Sequence, residues 1–230
     1  MFGYIISYNN LIVNFITILT YELIKRNEKK KMKDSKMKIE IDGHQSFKNM
    51  LKKFLGLEDY QYIMEQVKQK ESINNDVFIK KFNRFYNVRH KNWDTWSTNY
   101  YQVFEKMRHE KNNVTFERIL NDISTETVDA SFASKMLATL NPNKPILDSR
   151  VLKNLEITIK GNTKQERIKF SIEVYKKIEA FYDTYLPTGK AKRNIALFDE
   201  IFPDYSWISD TKKIDFIIWG YDKDCFNNKK

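Results

Sequence analysis

Only six glycines and four prolines punctuate the 230 residues of this chain. An all-β sandwich or barrel needs a turn about every ten residues, and a dinucleotide-binding fold needs glycine-rich loops. Neither can be built from so little punctuation. The chain has room only for long helices joined by few turns. Apolar residues at 41% and aromatics at 14% supply a core for them, which excludes a wholly disordered protein. The length fits one large domain, or one domain with an appended segment.

A single cysteine, Cys225, excludes an intramolecular disulfide and a cysteine-based zinc site. His44, His90 and His109 are scattered without metal-ligand spacing. There is no phosphate-binding glycine loop, no His-Glu-x-x-His and no Gly-x-Ser-x-Gly. No metal or cofactor is therefore expected, and the single thiol suits a reducing, cytoplasmic setting.

The net charge of +10 is uneven. Residues 25–38 carry eight Lys and Arg against Glu28 and Asp34, whereas residues 1–24 carry only Glu22. Residues 1–24 are otherwise apolar and about long enough to span a bilayer, although Asn9, Asn10 and Asn14 fall inside them. Three readings of that segment stand side by side: a membrane anchor with a cytoplasmic basic flank, an amphipathic helix covering a core, and translation upstream of a later start at Met32 or Met37. The organisation expected is a hydrophobic segment at 1–24, a basic linker at 25–38 and an all-α domain at 39–230. The net charge beyond residue 38, +5, is compatible with nucleic-acid binding without demanding it.

Met37-Lys38-Ile39-Glu40-Ile41 alternates briefly like a strand, and beyond it the period is helical. Apolar stripes at i, i+3 and i+4 predict helices over about 45–56, around Tyr60–Val67, through Val77, Phe78, Phe82 and Phe85, and from Trp93 to Lys111. Further helices are expected from Thr115, at 129–140, at 149–155 and at 163–185. Leu186-Pro187-Thr188-Gly189-Lys190 breaks the chain, with Thr188–Arg193 expected as a basic loop, and two short helices close the domain.

One segment carries chemistry-bearing residues in a distinctive order: Ala130-Ser131-Phe132-Ala133-Ser134-Lys135-Met136-Leu137, then Pro145-Ile146-Leu147-Asp148-Ser149-Arg150-Val151. A helix with a small-residue face leads into a proline-bearing loop, and Asp148 stands where an N-cap opens the next helix. This string resembles the helix-hairpin-helix DNA glycosylase superfamily, in particular proteins with an 8-oxoguanine DNA glycosylase (OGG) fold. Fainter likeness runs through Phe198-Asp199…Phe202-Pro203 and Lys212-Lys213-Ile214-Asp215-Phe216. The resemblance implies a multi-helix domain in which a hairpin grips duplex DNA, a lysine on the second hairpin helix attacks the sugar, and an aspartate capping the next helix supports the developing charge.

Asp148 matches that aspartate. The family's lysine position falls on Ser131, and Lys135 lies one turn further along the same face, leaning back toward it. Thr127-Val128-Asp129 stands where the family has Gly-hydrophobic-Gly, so the usual backbone grip on phosphate is missing. The resemblance makes Lys135 and Asp148 the catalytic candidates. Ser131, Ser134, Arg150, Lys190, Lys192 and Arg193 become DNA contacts, and Trp93 and Trp96, with Tyr100 and Tyr101 near them, line a base pocket. Plainer readings compete: Asp148 as a structural cap, Lys135 as a surface lysine, the aromatics as core. Two functions follow, a base-excision enzyme acting on DNA and a non-catalytic module of the same fold that binds nucleic acid or protein.

Overall fold

The computed structural model describes residues 56–110, 113–154 and 157–220, all within one compact unit. The segments 1–24 and 25–38, the alternating stretch at 37–41, the helix expected at 45–56 (apart from Gly56) and Cys225 lie outside the described residues. Nine α-helices, one short 3-10 helix and no strand occur among the described residues.

The helices are α1 (Leu57–Gln66), α2 (Asp76–Tyr86), α3 (Trp93–His109), α4 (Phe116–Ile123), α5 (Ala130–Leu140), α6 (Ser149–Asn154), α7 (Lys164–Tyr185), α8 (Gly189–Ile201) and α9 (Asp210–Gly220). Side-chain caps start several of them. Asn75 accepts from the Phe78 N–H, Thr115 from Arg118 and Thr188 from Ala191. Thr163 and Glu166 form a reciprocal capping box at α7. The cap at Thr188 shortens the expected break: Gly189 to Arg193 form the first turns of α8, not a loop.

The core begins as an aromatic cluster between α2 and α3. Phe82 is fully buried, with ring centroids of Phe78, Tyr86, Tyr101 and Phe104 at 4.7 to 6.0 Å. Val77, expected on the same stripe, is instead 54% exposed. It lies one residue, about 100° around the helix, from Phe78 and so falls off the face that Phe78, Phe82 and Tyr86 bury. α1 packs on α2, α4 on α3, α5 and α7, and α9 on α6 and α8.

Where α1 meets α2, buried Asp59 accepts from Arg84 Nε and Nη2, both at 2.5 Å, and from Lys81 Nζ at 3.2 Å. The Arg84 hydrogen bond holds the Asp59 carboxyl below its ordinary range. A carboxyl whose acidity is raised by folding stabilises the fold above its unfolded value, and that stabilisation is lost as pH falls through the folded value. Thermal unfolding of Asp59→Asn should therefore be less sensitive to acid than wild type below about pH 4.

α5 is buried nearly all round. Ala130, Ala133, Ser134, Met136, Leu137, Ala138 and Thr139 are within 5% of full burial. Small side chains let neighbouring helices approach closely, which turns the whole helix into core. The loop after it is bolted down by four bonds. Ser134 Oγ donates to the Leu147 carbonyl and accepts from the Leu147 N–H, Tyr175 Oη donates to the Pro145 carbonyl, and Ser209 Oγ to that of Pro142. Asp148 is thereby fixed relative to α5.

Candidate active site

Lys135 projects from the fully packed α5 into a cavity of about 80 Å³. Phe85, Tyr86, Ile146, Val151, Phe216 and Trp219 form its apolar wall, and Asn87, Asp148, Lys212 and Asp215 add polar groups. Asn87 enters through a left-handed turn, φ 49°, that ends α2. Asparagine tolerates that conformation better than most residues.

Lys135 is only 7% exposed, so the surface-lysine reading does not hold. Its Nζ lies 5.5 Å from the Phe132 ring centre, and among the described residues no carboxylate forms an ion pair with it. Burial pushes the amine below its ordinary range, and the nearby charge of Asp148 opposes part of that shift. Lys135 is thus biased toward the neutral, nucleophilic form.

Asp148 opens α6. Its Oδ1 accepts from the Val151 N–H at 2.8 Å, the N-cap bond that the sequence pattern implies. The same carboxylate lines the cavity. Replacing it by asparagine should change stability little, since the amide oxygen still caps, whereas Asp148→Ala should cost on the order of 1 kcal/mol. Thermal unfolding of the two variants measures the cap, and turnover measures the carboxylate.

Two further cavity residues escaped the sequence reading as site residues. Lys212 Nζ stands among four rings, Tyr60, Phe85, Tyr86 and Phe216, at 4.9 to 5.4 Å from their centres. One turn on, Asp215 accepts a hydrogen bond from Tyr182 Oη through Oδ1, while Oδ2 is buried with no hydrogen-bond partner among the described residues. Burial lowers the Lys212 amine below its ordinary range and raises the Asp215 carboxyl above its own. The signal available beforehand was two lysines and an aspartate set within the apolar run of α9. All three are buried, with Lys213 turned away to Asp199 at 2.7 Å.

The other expected site residues lie elsewhere. Trp96 is core, stacked between His90 and Tyr100, with its indole N–H donating to Asp129 Oδ2 at 2.9 Å. Tyr100 and Tyr101 are equally buried, and neither tryptophan of α3 lines the cavity. The aromatics on its wall come from α2 and α9 instead. Ser134 is fully buried and satisfied by Leu147, so it cannot meet a phosphate; Ser131 is half-buried.

Arg150 is exposed and stacks on Trp219, guanidinium carbon 3.9 Å from the ring centre. Trp219 lines the cavity and Arg150 does not. Lys190, Lys192 and Arg193 ride on α8 and do not line it. Among the described residues no group of three or more His, Cys, Asp or Glu side chains could hold a metal ion, and no helix is long and apolar enough to cross a membrane. No protein-family model, curated protein or solved structure matches the chain.

Proposed function

We propose that this protein is a DNA base-excision enzyme of the helix-hairpin-helix glycosylase kind, with Lys135 as amine nucleophile and Asp148 as the carboxylate beside the sugar. One observation carries the reading: a buried lysine amine, with no ion-pair partner among the described residues, shares the wall of an aromatic cavity with a carboxylate fixed at a helix N-cap. A neutral amine can attack C1′ of a deoxyribose, and a nearby carboxylate stabilises the cationic sugar that forms as the base departs. α4, the Ser124–Asp129 turn and α5 supply the hairpin of the scheme.

Size sets a condition. The cavity has about half the ~150 Å³ that admits a benzene ring. A flipped base therefore enters only if side chains of the cavity wall move. Borohydride trapping on duplexes carrying oxidised, alkylated or deaminated bases tests the reading. Base release with a Lys135-dependent covalent adduct is expected on at least one substrate. Neither product on any substrate removes the enzyme reading.

A second reading, binding without catalysis, draws on the hairpin turn. Asp129 precedes α5, and its buried carboxylate accepts from Trp96 and from Thr127 Oγ1 at 2.9 Å. A negative side chain at a helix N-terminus repels phosphate where the family grips it. In that case DNA affinity survives Lys135→Ala and Asp148→Ala, with the steep salt dependence of phosphate contacts and no turnover.

A further inference from the structure

The enzyme reading leaves the second pair in the cavity, Lys212 and Asp215, without a task. Asp215 is built asymmetrically. Tyr182 Oη from α7 pins Oδ1. Oδ2 stays buried, with no hydrogen-bond partner among the described residues, in a residue that lines the cavity holding Lys135. An orphaned carboxylate oxygen in an apolar wall is costly for stability alone, because its desolvation is not repaid by any bond. One oxygen anchored and the other left without a bond, in a residue that lines the cavity, is an arrangement that suits a general base.

Resting on the imine chemistry proposed for Lys135, we propose that Asp215 is the proton acceptor for strand scission, taking a proton from C2′ of the sugar joined to Lys135. The steps balance. Lys135 Nζ condenses with C1′ of the ring-opened aldehyde, releasing water and leaving an iminium. Asp215 Oδ2 removes a C2′ proton, and the C–H electron pair forms the C1′=C2′ bond as the iminium electrons move onto nitrogen. The enamine then expels the 3′ phosphate: the C3′–O bond breaks, its pair leaves with the phosphate oxygen, and a C2′=C3′ double bond remains conjugated to the restored iminium. Water later frees Lys135. No oxidant or metal takes part.

The groups that face Asp215 set its working range. Lys212 on its own helix and Tyr182 on α7 favour the carboxylate, Asp148 opposes it, and burial outweighs them. Lys135 shares the cavity, while Tyr60, Tyr86 and Tyr175 lie near enough to feel the Asp215 charge. Burial raises the carboxyl above the ordinary carboxylate range, which makes it a stronger proton acceptor once ionised.

The test uses the full chain and a duplex with one abasic site, scored for borohydride adduct and for strand scission. Asp215→Asn should keep the Lys135 adduct and lose scission by about a hundredfold or more, the usual contribution of a positioned general base. An adduct with unchanged scission overturns the assignment and leaves the enzyme reading intact. No adduct with the wild-type protein overturns both. If Asp215→Asn forms no adduct, the wild type decides: scission per adduct should fall as acid protonates the raised Asp215 carboxyl, and a ratio flat from alkaline pH down to about pH 4 overturns the assignment.

Discussion

Lys135→Met should abolish the covalent adduct on abasic duplex and leave a protein at least as stable as wild type. Lys135 is 7% exposed, and among the described residues no carboxylate pairs with its amine. Burying an uncompensated polar group costs about 1–3 kcal/mol, and methionine fills a similar volume without that cost. A structural lysine would give the opposite result, a loss of stability.

The pH dependence sharpens the contrast. Folding pushes the amine below its ordinary value of 10.5, so the unfolded chain binds the proton more tightly and wild-type stability climbs as pH rises toward that value. The advantage of Lys135→Met is then greatest at low pH and shrinks in alkali. Calorimetry across the neutral-to-alkaline range measures it. An unchanged difference at every pH would mean that the buried amine keeps its ordinary affinity for the proton.

The largest loss of stability should come from Phe82→Ala. The ring is fully buried against five aromatic neighbours, Phe78, Tyr86, Tyr100, Tyr101 and Phe104. Truncating a packed Phe costs about 3–5 kcal/mol, a large share of the ~5–15 kcal/mol that holds a typical domain. For a chain of this length that corresponds to a fall in Tm of roughly 6–20 °C. Val77→Ala, on the same helix but 54% exposed, should change stability by less than about 0.5 kcal/mol. Comparable losses at the two positions would mean that the α2–α3 aromatic cluster is not the centre of the core.

Much of the helical order was legible along the chain. The stripe of Tyr60, Ile63 and Met64 became the buried face of α1, and the Thr115 and Thr163 starts matched caps with their hydroxyls in place. Asp148 as the cap of α6 was equally legible, because a cap depends on residues three positions apart. Periodicity misjudged Val77 and the length of the break at Thr188, where one hydroxyl decides which residue is the first helical one. It also could not rank aromatics. Trp96 and Phe85 look alike on their helices, yet Trp96 is locked in the core by Asp129, and Phe85 walls the cavity.

The sequence by itself determined the all-helical class, most helix boundaries and the role of Asp148 as a cap, since each follows from interactions within about one turn of chain. It also singled out Lys135 as a residue type at a suggestive position. Only the tertiary structure decided that Lys135 is buried and that Ser134 is spent on Leu147. The same packing brings Lys212 and Asp215 to the Lys135 cavity when α9 packs against α6. Those outcomes depend on contacts between segments far apart in the chain. The charge state of a lysine is set by the dielectric of its surroundings, which no local pattern encodes.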